Sequence, residues 1–155
     1  RDAGVSITSG IENVSVGKSA LGSVSGGNSN VSVGWYSLSA STGNGNTGVG
    51  YQAGDVIQAG TYNTCIGYRT DPSAHGGTNQ IVIGRDATGQ ADNSVTLGNA
   101  DVTAVYMAQD SGATVYCGGL NIGGTAVTSS AAELNYLDIL GRPDASTVTS
   151  ASTKI

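Results

Sequence analysis

Along most of the chain, apolar and small residues alternate in brief runs, each closed by a glycine. The closing glycines are Gly17, Gly34, Gly50, Gly67, Gly84 and Gly98, at spacings of 17, 16, 17, 17 and 14 residues. One position before each stands an aliphatic residue: Val16, Val33, Val49, Ile66, Ile83 and Leu97. Three before stand the β-branched Val14, Val31, Thr47, Thr64, Ile81 and Val95. Between them lie mostly small residues, Ser15, Ser32, Gly48, Cys65, Val82 and Thr96. Period-two alternation rich in β-branched residues is the mark of a strand with one buried face. Repetition at a near-constant interval is the mark of a solenoid. The pattern therefore predicts an all-β parallel solenoid with one short strand per rung, its aliphatic and β-branched positions turned inward. Each closing glycine is placed at a corner where φ is positive or two backbones pass closely.

Four positions before the glycines stand Asn13, Asn30, Asn46 and Asn63. Equivalent positions in such a stack lie about 4.8 Å apart, so these amides are spaced to hydrogen-bond as a ladder. The column is expected to break at Gln80 and Ser94, where Asn79 and Asn93 sit one place earlier. Two inward side chains per rung offer little apolar burial against the conformational entropy of ordering the rungs. The shortfall predicts that apolar surface is also buried between chains, as in an obligate oligomer, a trimer being the simplest fit.

Composition narrows the function classes. Of 155 residues 25 are glycine, 11% are charged and none is phenylalanine. Such a mix suits either a disordered linker or a tight β-solenoid, and the ordered repeat favours the second. Net charge is −5, with only six Lys and Arg, none clustered; a nucleic-acid partner lacks its electrostatic footprint. No apolar run reaches transmembrane length, so membrane insertion is not expected, and the first residues carry no signal-peptide pattern. Cys65 and Cys117 lie 52 residues apart without metal-ligand spacing, and both are expected to be free.

The rungs NVSVGKSAL, NSNVSVGWYSL, GNGNTGVGYQAG and NTCIGYRTD resemble the head repeats of trimeric autotransporter adhesins and, more closely, repeats in phage and large-virus tail fibres. SVTLGNADVTAVYM resembles the exit from such a roll, and GTAVTSSAAELNYLDIL is similar to a segment of phage structural proteins. The resemblance covers about residues 11–140. It implies a left-handed parallel β-roll, homotrimeric, in an elongated fibre on a virion surface or, alternatively, a bacterial cell surface. The partner it implies is a host-cell surface receptor, a glycan by class.

Residues 1–100 are read as the roll domain and 101–127 as a transition of short strands, carried by VTAVYM and ATVYCGGLNI. Residues 128–155 are read as a short helix, about 131–140, with a Ser/Thr-rich tail. A capping box at Ser130 and Glu133, leucines at 134, 137 and 140, then Gly141 and Pro143 bound that helix.

One place after the closing glycines stand Lys18, Trp35, Tyr51, Tyr68, Arg85 and Asn99. Three aromatics in one column suit a stacking platform for sugar rings, or they cover a seam between chains, as the resemblance favours. Trp35 and Tyr36 are the least scaffold-like members. With Tyr51, Tyr68, Arg69 and His75 they form the candidate binding set. An enzyme reading has two handles. His75 is the only histidine, a candidate base of an acyltransferase in a turn-rich loop. Asp71, Asp86 and Asp101 fall 15 residues apart, a candidate carboxylate stack for glycan cleavage or for a metal. Neither is accompanied by a phosphate loop or nucleophile elbow. The reading is non-catalytic, without cofactor or metal.

Overall fold

The computed structural model describes residues 2–128 apart from positions 24 and 111. The chain divides into two compact units, Arg1–Tyr106 and Met107–Ile155. No helix occurs among the described residues. The expected helix over 131–140 lies outside them.

The first unit is a parallel β-solenoid. Its strands are β1 (Val14–Val16), β2 (Val31–Val33), β3 (Thr47–Val49), β4 (Thr64–Ile66), β5 (Gln80–Ile83) and β6 (Ser94–Leu97). They form one sheet in chain order, each parallel to the next. The register joins equivalent repeat positions: Val14 to Val31, Ser32 to Gly48, Cys65 to Val82, Ile83 to Leu97. The short final interval leaves the sheet intact, since β5 and β6 pair over four residues from Gln80–Ser94 to Ile83–Leu97.

The closing glycines are required on two counts. Gly34, Gly50, Gly67 and Gly84 have φ between 136° and 139°, a region costly for any side chain. A Cβ on Gly17 would also lie 2.7 Å from the carbonyl oxygen of Gly34 one rung on.

The inward and outward faces are the reverse of the sequence expectation. The middle positions Ser32, Gly48, Cys65 and Val82 are buried, while the aliphatic rows face out, Val16 being 55% exposed and Ile83 38%. The physical reason is the width of the interior. Facing the middle column is a second small column, Ala20, Ser37, Ala53, Thr70 and Ala87, all buried. The two columns are tied together: Ser15 Oγ donates to the Ala20 carbonyl at 2.8 Å, Ser32 Oγ to the Ser37 carbonyl at 2.7 Å, and Ser37 Oγ to the Gly48 carbonyl at 2.9 Å. A lumen closed this tightly has room for Leu21, Leu38 and Ile57 at its turn end, but not for two rows of Val and Ile.

The amide ladder forms as expected and runs one rung further. Asn13 Oδ1 accepts from Asn30 N at 2.9 Å, Asn30 Oδ1 from Asn46 N at 2.9 Å, and Asn46 Oδ1 from Asn63 N at 3.0 Å. Asn63 Oδ1 then accepts from Gln80 N at 3.1 Å. The column therefore does not break at Gln80. Its longer side chain turns aside, its Nε2 donating to Ser73 Oγ at 2.8 Å and to Asp92 Oδ1 at 2.9 Å. Each ladder Nδ2 donates to a glycine carbonyl, of Gly27, Gly43, Gly60 and Gly77 in turn. With Gly10, these form a second glycine column, seven positions before the first. A Cβ on Gly60, for example, would lie 2.6 Å from the Gly77 oxygen.

The second unit holds an antiparallel hairpin, β7 (Leu120–Ile122) and β8 (Thr125–Val127), in register from Leu120–Val127 to Ile122–Thr125. Gly123 and Gly124 turn it with φ of 58° and 87°, the all-positive turn that glycine pairs favour. VTAVYM and ATVYCGG do not form strands, contrary to expectation. Within the described chain no segment pairs with them, and Tyr106 and Tyr116 are 77% and 94% exposed.

Candidate functional site

The solenoid register brings the aromatic column together. Trp35, Tyr51 and Tyr68 follow the closing glycines of successive rungs. The Trp35 and Tyr51 rings meet edge to face, centroids 5.3 Å apart at 83°. Tyr51 and Tyr68 stack at 4.9 Å and 12°. Both geometries are favoured for aromatic pairs. Tyr36 joins from the side, its centroid 5.7 Å from Trp35. Lys18 closes one end of the column, with Nζ 5.1 Å from the Trp35 ring centroid, a cation–π contact. The rings remain open to solvent, Trp35 being 46% and Tyr68 48% exposed.

Tyr36 is held in an unusual backbone state. Its φ is +58°, and the equivalent Ser19, Gln52, Arg69 and Asp86 share it. Each sits two positions after a closing glycine, where the chain makes a left-handed corner. Backbone bonds across rungs hold the corner, Tyr36 N to the Lys18 carbonyl at 3.0 Å and Arg69 N to the Tyr51 carbonyl at 2.8 Å.

Arg69 and His75 do not join the aromatic pairs. Arg69 lies close enough to act electrostatically on Asp55 and Asp71. His75 contributes its backbone, the carbonyl accepting from Gln58 N at 2.9 Å and Gly60 N at 3.3 Å, while its exposed imidazole makes no hydrogen bond among the described residues.

The carboxylate stack does not assemble. Arg85 pairs with Asp86 at 2.9 Å and with Asp101 at 3.3 Å. Asp71 instead bridges to Thr88, two positions away from Asp86. Burial first, and then the charge of Asp55, push the Asp71 carboxyl up to about 6, against the Val56 N–H and Arg69, which pull it down. Asp55 is raised mainly by its own burial. Among the described residues no group of three His, Cys, Asp or Glu stands close enough to hold a metal ion.

Both cysteines are free, Cys65 buried and Cys117 exposed. Burial and the nearby Asp71 push the Cys65 thiol to about 12, which leaves it an inert core residue.

Sequence reasoning missed three features. Asn28 and Asn44 form an outer ladder: Asn28 Oδ1 accepts from Ile11 N at 3.0 Å and Asn44 Oδ1 from Asn28 N at 2.9 Å. Their place, six before the closing glycine, was visible in the repeat, as was the second glycine column. The third is a cavity of about 480 Å³ beside Tyr36, bordered by Asp2 and several serines. Its walls sit at equivalent positions of three successive turns, Asp2, Ser19 and Tyr36 being 17 residues apart, but the first of those turns carries no strand or closing glycine to mark it. No family model, curated protein or solved structure matches the chain.

Proposed function

We propose that this chain is a segment of a homotrimeric, left-handed β-roll fibre of viral, phage-like type that holds or presents a host-attachment surface and does no catalysis. One observation carries the reading. The outer face of the six-stranded sheet is a continuous field of aliphatic side chains, with Val14, Val16, Val49, Ile66, Ile81, Ile83, Val95 and Leu97 each more than a third exposed. Contiguous apolar surface of this kind marks an association face. The repeat places it on every rung, so the occupant it fits best repeats in the same way. A second and third copy of the same chain do so by symmetry.

The mechanical role follows from the ladders. Backbone and amide hydrogen bonds link each rung to the next. Association over the aliphatic face then supplies the apolar burial that the narrow lumen lacks. The segments 55–60 and 71–77 carry no strand. Ile57, Gly60 and Gly77 are fixed by the core and the amide ladder, while exposed positions such as Ala74 and His75 offer a surface that can differ without cost to the roll.

Light scattering at low protein concentration tests the proposal, before and after mild heating. The expected species is three times 15.3 kDa. Val49→Lys combined with Ile83→Asp places charges on the outer face of two strands that are not neighbours. It is expected to abolish the three-chain species and, because single chains lack the apolar burial of that face, to lower the midpoint of the β circular-dichroism signal on heating. A folded wild-type monomer would sink the proposal.

A further inference from the structure

The cavity beside Tyr36 lies between the turns that follow β1 and β2, walled on its third side by the residues around Asp2. At about 480 Å³ it falls in the range of small-ligand clefts. Four of its eight lining residues are serines, beside Asp2, Val5, Gly22 and Tyr36. Ser6, Ser19, Ser23 and Ser39 each present a hydroxyl, and none of these exchanges a hydrogen bond with another described residue. Asp2 adds a carboxylate, likewise without a hydrogen-bond or ion-pair partner among them. Ser19 is informative, because only 8% of it is exposed. No buried side-chain polar atom among the described residues lacks a partner, so the Ser19 hydroxyl keeps its access through the cavity it lines. Tyr36 forms the remaining wall, its ring braced by Trp35 at a centroid distance of 5.7 Å.

We propose that this cavity binds a saccharide, with one sugar ring held in the cavity against the Tyr36 ring. Each part of the wall matches a part of such a ligand. A carboxylate accepts from two neighbouring hydroxyls in charge-assisted bonds. Serine hydroxyls both donate and accept, so they suit a ligand that does the same around its rim. An aromatic face receives the C–H side of the ring. A simple cation would want more carboxylates, and an apolar ligand would leave the hydroxyls without partners. None of the lining residues belongs to a strand, so association through the aliphatic sheet face leaves the cavity available. The proposal names the ligand class for the attachment surface proposed above, and rests on that reading only for its biological use.

The test is saturation-transfer NMR on the full chain with sialyllactose, N-acetyllactosamine, maltotriose and cellotriose as probes, and glycerol as the non-cyclic control. At least one saccharide is expected to receive saturation, more strongly than glycerol. Tyr36→Asn removes the ring while keeping a residue type that tolerates positive φ. Ser23→Trp fills the cavity from its exposed side and keeps the backbone bond from Ser23 N to the Ser39 carbonyl. Each is expected to weaken binding at least tenfold with the light-scattering mass unchanged. Silence from all four saccharides overturns the proposal, as does binding that survives both substitutions or is matched by glycerol. Loss of trimer mass with binding retained would overturn the fibre reading and leave this one standing.

Discussion

The two faces of the six-stranded sheet use opposite chemistry. The inner column, Ser32, Gly48, Cys65 and Val82, is buried, and its one hydroxyl, that of Ser32, is bonded to the Ser37 carbonyl. The outer rows are large, aliphatic and half exposed. An ordinary half-buried sheet does the reverse. The difference teaches that the single chain is held mainly by close backbone approach and hydrogen-bond ladders. Its largest apolar side chains are kept for contacts outside its own lumen.

The sharpest way to break that comparison is to enlarge one inner residue. A Cβ on Gly48 would meet Ser37 Oγ at 2.5 Å, the Ala53 oxygen at 2.7 Å and Leu38 Cγ at 2.8 Å. Gly48→Val is expected to cost about 3 kcal/mol or more in urea unfolding, at the upper end of overpacking penalties. Val49→Thr, one residue along on the outer face, is expected to cost under about 1 kcal/mol when measured on single chains. Equal costs would mean that the lumen is looser than its two small columns imply.

The amide ladders give a second, smaller contrast. Asn46 is buried and makes bonds to Asn63 N, Asn63 Nδ2, Ser41 Oγ and the Gly60 carbonyl. Asn46→Ala leaves a buried N–H and a buried carbonyl without partners and is expected to cost about 2 to 3 kcal/mol. Asn44 accepts from Asn28 N at 2.9 Å on the exposed ladder, where water replaces it. Asn44→Ala is expected to cost about 0.5 kcal/mol by the same unfolding measurement.

These contrasts show what was legible in the sequence. The strands, their register, the glycine corners and the inner amide ladder follow from repeat position alone, because stacking makes equivalent residues neighbours. Which face turns inward does not follow. Alternation has two faces, and the rule that aliphatics go inside assumes a lumen wide enough to hold them. The counter-signal was present in the Ala, Ser and Thr column three positions after each of the first five closing glycines, which narrows the lumen. The aromatic column was legible for the same reason as the ladder. The cavity beside Tyr36 was legible only in hindsight: Asp2, Ser19 and Tyr36 keep the 17-residue interval, as do Val5, Gly22 and Ser39, but no strand or closing glycine marks the stretch before Val14 as a rung.

The smallest of the three contrasts, a variant against its parent, tests the turn side of the roll, where a carboxyl is held against its preference. Burial and Asp55 raise Asp71 from 3.8 to about 6. The folded state therefore takes up this proton before the unfolded state does. Above about pH 6 the carboxylate is charged in both states and the fold carries its full cost. As pH falls from about 6 to 3.8 the cost is relieved, so the Asp71 contribution makes the protein more stable toward acid in that window. Asp55, also raised by burial, acts in the same direction. Asp92 acts oppositely, since the Thr78 N–H and the Gln80 amide hold its carboxyl below the usual value; its stabilisation is lost as pH falls below the ordinary carboxylate range. Asp71→Asn keeps an oxygen for the Val56 N–H, which Asp71 Oδ1 meets at 3.5 Å, and removes the charge. It is expected to raise stability at pH 7 by on the order of 1 kcal/mol, since the carboxyl still reaches solvent, and to flatten the urea midpoint between pH 6 and 4. A variant less stable than the parent at pH 7 would mean that Arg69 outweighs burial and Asp55 at this corner. The turn side would then be held together by charge rather than in spite of it.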